Sequence, residues 1–133
     1  MKILIVISVL LLGGCFDDNS TEIQKTGVAL GKSVFDKNCK ICHGKAAQGL
    51  TKDWKKPLDD GSYLPPPLNG SAHTWHHSPK LLLNTINEGG AKLGGVMPAF
   101  KDKLNEEEKL AVLDYLYSLW PKDIQQKYNG RFK

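Results

Sequence analysis

The run Cys39-Lys40-Ile41-Cys42-His43 constrains this chain more than any other stretch. Two thiols three positions apart, followed at once by an imidazole, allow a haem to be clipped through both vinyl groups while the histidine meets the iron from one face. The spacing is that of c-type haem attachment. Other readings of the same residues ask for features the chain does not offer. A thioredoxin-like dithiol would follow a strand in a βαβ pattern, and no alternating apolar run precedes Cys39. A structural zinc site would need a second pair of ligands at compatible spacing, and no second pair of cysteines exists. A disulfide between Cys39 and Cys42 would close a strained ring at a helix end. One covalently held haem c is therefore the premise against which the other segments are read.

A length of 133 residues with 41% apolar content suits one soluble domain of ordinary size. Its 18 basic and 14 acidic residues are interspersed, giving a formal charge of +4 that two haem propionates would partly offset. Nothing in that pattern points to nucleic acid. The third cysteine, Cys15, closes a distinctive N-terminus: Met1-Lys2 is a short basic start, Ile3 to Leu12 is apolar apart from Ser8, and Leu12-Gly13-Gly14-Cys15 follows. Ten residues span about 15 Å as a helix, roughly half a bilayer core, so the stretch reads as a secretory signal segment and not as a transmembrane helix. The run into Cys15 resembles the bacterial lipobox, which implies cleavage after residue 14 and lipid attachment to Cys15. An ordinary signal peptide that leaves Cys15 as a free thiol is the competing reading. Residues 15–27, polar and acidic with Asp17-Asp18-Asn19-Ser20, are expected to form a flexible tether.

Val28 to Cys42 reads as the first helix of a domain covering residues 28–120, with Gly31, Phe35 and Cys39 on one stripe at i, i+4 and i+8. Gly31-Lys32-Ser33-Val34-Phe35 running into the Cys39–His43 motif resembles the N-terminal helix of class I c-type cytochromes. Leu113-Asp114-Tyr115-Leu116 is similar to the C-terminal helix of that family. The resemblance implies an all-α fold in which the N- and C-terminal helices cross around the haem, with Tyr115 meeting Gly31 and Phe35. Pro65-Pro66-Pro67-Leu68-Asn69-Gly70 is rigid and extended, because each proline fixes its own φ and biases its predecessor away from helix. It resembles the family segment whose proline carbonyl accepts from the axial histidine. Carried over, Pro66 would accept from His43 and so fix the imidazole's orientation, and Leu68 would pack on the haem.

Gly94-Gly95-Val96-Met97-Pro98-Ala99-Phe100 closely resembles the family's methionine-ligand loop, which implies that Met97 is the second axial ligand opposite His43; a core methionine is the alternative. Between these centres lies Ser71-Ala72-His73-Thr74-Trp75-His76-His77. Either His73, His76 and His77 are turn residues before a helix that starts at Ser78-Pro79, or they bind a second metal ion. Trp54, in the irregular stretch from Lys45 to Tyr63, closes a core or covers a haem edge; Trp75 is a further candidate for a propionate contact. Lys80 to Glu88 is a short helix ended by Gly89-Gly90. The last helix is expected to be capped by Asn105 with Glu108 and to stop before Pro121, leaving residues 121–133 as a basic, solvated tail.

The resemblance implies a monohaem cytochrome that carries single electrons and has no substrate site, since His43 and Met97 would fill both axial positions. Its expected partners are redox proteins, namely a membrane-bound donor and an oxidase or reductase acceptor. Its expected location is the exported, periplasmic side of a bacterial membrane, held through the lipid on Cys15.

Overall fold

The computed structural model describes the backbone of residues 18–133 and the side chains of residues 25–133. The signal segment and Cys15 lie outside the described residues. Among the described residues five α-helices follow in order: α1 (Asp18–Asn38), the single turn α2 (Lys40–His43), α3 (Pro79–Glu88), α4 (Glu106–Ser118) and α5 (Lys122–Phe132). Short 3₁₀ turns at Thr74–His76 and Ala91–Leu93 punctuate the connections. Among the described residues there is no strand, so the fold is all-α, and no helix is long and apolar enough to cross a membrane.

Helices α1 and α4 cross and supply most of the core. On α1, Gly27, Leu30, Gly31, Val34 and Phe35 recur at the spacing that places them on one helix face, and α4 answers with Ala111, Val112, Tyr115 and Leu116. Phe35 is fully buried and its ring lies 5.3 Å from that of Tyr115 at an interplanar angle of 57°. Gly31 is what permits the crossing: a Cβ there would stand 1.8 Å from the Ala111 carbonyl oxygen and 2.9 Å from Tyr115 Cβ. Phe100 and Leu104 close the same core from the segment before α4.

The helix ends follow local chemistry. Ser78 caps α3 by accepting from the Leu81 amide at 3.2 Å, with Pro79 in the first turn. Asn105 and Glu108 form a reciprocal capping box at α4, each accepting from the other's backbone amide at 2.9 Å.

Three expectations are corrected. The first helix begins at Asp18, so residues 18–27 continue α1 and are not a separate tether. That helix stops at Asn38, and Cys39 separates it from the turn that carries Cys42 and His43. The segment after Pro121 is not a solvated tail. It forms α5, whose buried Gln125 donates to the carbonyls of Tyr117 and Trp120 at 3.0 and 3.1 Å, adding to the Trp120 amide's own bond to Tyr117 and fastening α5 to the end of α4. Buried Tyr128 stacks edge-on against Trp120, ring centroids 4.9 Å apart.

Candidate haem site

The two thiols and the imidazole sit where α1 gives way to α2. Cys39 is half-buried against the hydrophobic core, Cys42 is exposed and His43 is buried, 7% accessible. Cys39 and Cys42 are not bonded to each other. Burial, with a smaller contribution from Cys42, pushes the Cys39 thiol up to about 11, so it stays protonated at neutral pH. A thiol–disulfide exchange pair needs the opposite, an exposed and acidified thiol, which disfavours that reading.

His43 is fixed by the loop that follows it. Gly44 turns the chain at φ 81°, the Gly49 amide returns to the His43 carbonyl at 2.7 Å, and Ala47 is held buried at φ 55°. A non-glycine residue in that left-handed region is strained and persists only where its surroundings fix it. The Ala47 carbonyl accepts from the Leu68 amide at 2.7 Å and the Asn69 amide at 3.2 Å. This tie carries the proline-rich segment up to the histidine. The Pro66 carbonyl oxygen then lies 3.0 Å from His43 Nδ1. A carbonyl can only accept, so Nδ1 carries the proton and the Nε2 lone pair is left for a metal. Burial holds the imidazole below its usual range, with the Pro66 bond opposing in part, and the neutral form is the one that ligates.

Met97 lies on a loop closed by backbone hydrogen bonds. The Gly90 amide donates to the Met97 carbonyl at 2.9 Å, Gly95 donates back to Gly90 at 3.0 Å, and Phe100 donates to Ile86 in α3 at 2.9 Å. Gly89, at φ 78°, could not be replaced without a Cβ standing 2.6 Å from the Met97 carbonyl oxygen. Cys39, Leu68 and Met97 are all half-buried and border the same core cluster, which brings the attachment motif, the proline segment and the methionine loop together.

The residues present fit a covalently held haem: two unpaired thiols, an imidazole oriented by a carbonyl, and a thioether that borders the same apolar cluster as Cys39 and Leu68. The histidine group behaves otherwise. His73 stacks on Trp54 at 5.3 Å and meets His77 edge-on at 5.2 Å, whereas His76 packs against Trp75 at 3.9 Å. Among the described residues no group of three His, Cys, Asp or Glu side chains converges as metal ligands would, so the second-metal reading of His73, His76 and His77 is corrected to aromatic packing. Trp54 and Trp75 are engaged in these same stacks.

One contributor was not apparent from the sequence. Trp120 is buried, and its Nε1–H donates to the Leu68 carbonyl at 2.8 Å, tying the proline-rich segment to the end of α4. Its place just before Pro121 marked it as a helix stop, and the bond spans 52 positions that no local pattern encodes.

Fold and site together define a class I c-type cytochrome domain, a class that binds haem c covalently. Comparison with known proteins gives the family: residues 27–116 match the one described as cytochrome c oxidase, cbb3-type, subunit III, and the chain belongs to it. It is similar to the cbb3-type cytochrome c oxidase subunit CcoP of Azospirillum sp. (strain B510), 34% identical over 92 residues that cover 69% of this chain and 28% of the relative. The subunit CcoP of Rhodobacter capsulatus is 34% identical over 105 residues, 74% of this chain and 30% of the relative. The subunit FixP of Sinorhizobium medicae is 32% identical over 104 residues, 74% and 32% respectively. The chain thus spans about a third or less of the length of the curated relatives it matches. No solved structure matches it at a significant level.

Proposed function

We propose that this protein is a monohaem carrier of single electrons, with the iron held between His43 and Met97. The observation that carries the reading is the His43–Pro66 contact, which fixes a neutral imidazole through Nδ1 and leaves Nε2 available to a metal. Only one attachment motif occurs in the sequence, which supports a single haem. Bound haem supplies a one-electron iron couple. The residues around it set the conditions: Pro66 fixes the imidazole, the Gly89–Phe100 loop presents the thioether, and the Phe35–Tyr115 core excludes water from one side. A soft thioether favours the ferrous state and raises the potential. With both axial positions filled, the protein has no substrate site of its own.

What supports an oxidase as redox partner is the similarity to the CcoP and FixP subunits. What supports an exported, lipid-anchored protein on the periplasmic side is the lipobox-like run into Cys15.

The test is optical. The oxidised, haem-loaded protein is expected to show the weak long-wavelength band of methionine-to-ferric-iron charge transfer. Met97→Ala should abolish the band and lower the midpoint potential while haem stays covalently attached by mass spectrometry. A voltammogram unchanged by Met97→Ala would remove Met97 from the iron, and carbon monoxide binding would then be the next measurement.

A further inference from the structure

Lys109 is a charged residue in the wrong place for a solvated helix face. It lies in the second turn of α4 and is 3% exposed, though its sequence context, Glu106-Glu107-Glu108-Lys109, reads as surface. Lysine is almost never so deeply buried without partners. Here Nζ has two: the carboxylate of Glu106, itself 75% exposed, and the Asn87 side-chain oxygen at 2.7 Å. Glu106 faces water, so the ion pair closes the outer end of the side chain. Asn87 is the inward partner and belongs to the last turn of α3.

That turn is where the methionine loop is fastened. The Asn87 carbonyl accepts from the Lys101 amide at 3.3 Å and the Ile86 carbonyl from the Phe100 amide at 2.9 Å. Three residues beyond Asn87, the Gly90 amide donates to the Met97 carbonyl at 2.9 Å. Residues 86–90 and 97–101 therefore form a clasp with Met97 inside it. The last turn of α3 contains no basic residue of its own, and the negative end of its dipole is met by an ammonium group reaching across from α4.

We propose that Lys109 is a positioning residue for Met97, its buried ammonium holding Asn87 and with it the clasp that keeps the thioether in place. The proposal rests on the reading of Met97 as an axial ligand. It goes beyond that reading in assigning resistance of the iron to competing ligands to a residue that touches neither haem nor Met97.

The experiment is a titration of the ferric, haem-loaded full chain with imidazole, which must displace Met97 to bind. Lys109→Met keeps length and apolar bulk but removes the donor. It is expected to bind imidazole about tenfold more tightly than the parent, the factor corresponding to one hydrogen bond to a charged group. Asn87→Ala, at a half-buried helix end, should do the same, so the link is tested even where Lys109→Met fails to fold. Lys109→Arg should stay near the parent. Asn87→Asp, which gives the ammonium a charged partner, should shift affinity the opposite way, a reversal that a general loss of stability would not produce. Imidazole affinities of Lys109→Met or Asn87→Ala equal to the parent, with the methionine band intact, would overturn the positioning role and leave Met97 as ligand. If Met97→Ala binds imidazole no more tightly than the parent and the parent shows no methionine band, the ligand reading fails and the positioning role falls with it.

Discussion

Gly31 and Gly130 are both helical glycines, yet their substitution should move stability in opposite directions. At Gly31 an added methyl group would stand 1.8 Å from a backbone oxygen of α4, which cannot move without separating the two helices. Gly31→Ala is expected to destabilise by about 3 kcal/mol, the upper part of the range for overpacking a core. At Gly130 in α5 nothing lies within 4 Å of the added atom. Gly130→Ala should stabilise by about 0.5–1 kcal/mol, because alanine loses less backbone freedom in a helix. Urea unfolding of the two variants beside the parent measures both signs, and a neutral Gly31→Ala would mean that the helices do not cross at van der Waals contact. The positions most legible from sequence are of this kind. Covalent chemistry dictates the spacing of Cys39, Cys42 and His43, and close backbone approach dictates glycine at 31. The partners of Lys109 and Trp120 were not legible, since Asn87 lies 22 positions from the first and Leu68 lies 52 from the second.

At the level of elements, α1 and α4 meet again at Asp114, whose carboxylate oxygen lies 3.0 Å from the position a Cβ on Gly27 would take. Burial raises the Asp114 pKa above its ordinary 3.8, partly offset by the charge of Lys133. A carboxyl group that binds its proton more tightly in the folded state stabilises the fold when protonated. That contribution is complete below about 3.8 and is lost as pH rises through the elevated value. Asp114→Asn should therefore raise the unfolding free energy at pH 7, by less than about 1 kcal/mol because solvent screens the site, and the advantage should vanish at pH 3. A gain that persists at pH 3 would assign the effect to something other than charge. Helix ends carried by caps, at Ser78 and at Asn105 with Glu108, were readable because a cap is a local bond between near neighbours. Helix α5 was hidden by its polar composition and by Pro121. Yet Ile124, Tyr128 and Phe132 recur every four residues, and that spacing was the available signal. The start of α1 was hidden by the acidic run before Val28, which reads equally as a tether or as a helix N-terminus.

Charge acts at the scale of the whole molecule. The formal excess of +4 is modest, but its distribution is not even: residues 37–52, around the attachment motif, hold Lys37, Lys40, Lys45 and Lys52 without a carboxylate, and residues 89–101, around Met97, hold Lys92 and Lys101 without one. All six lysines are exposed, as are Ile41 and Val96 beside the two proposed haem ligands. A reagent approaching either segment meets a positive field, reduced by Asp36 beside Lys40 and Lys45 and by whatever charge the haem propionates contribute. Such a field accelerates encounter with anions and decays within a Debye length, about 10 Å at 0.1 M salt. Oxidation of the ferrous protein by hexacyanoferrate(III) should accordingly slow several-fold as ionic strength rises from about 0.01 to 0.3 M. Oxidation by a cationic cobalt(III) complex should stay level or quicken over the same range. Stopped-flow rates with the two oxidants separate the local field from a general salt effect, since the latter would move both in one direction. Charge reversal at Lys40 and Lys45, next to the attachment motif, should flatten the hexacyanoferrate(III) dependence more than the same change at Lys122 and Lys127 on α5. Equal effects from the two pairs would mean that electrons leave through some other part of the surface.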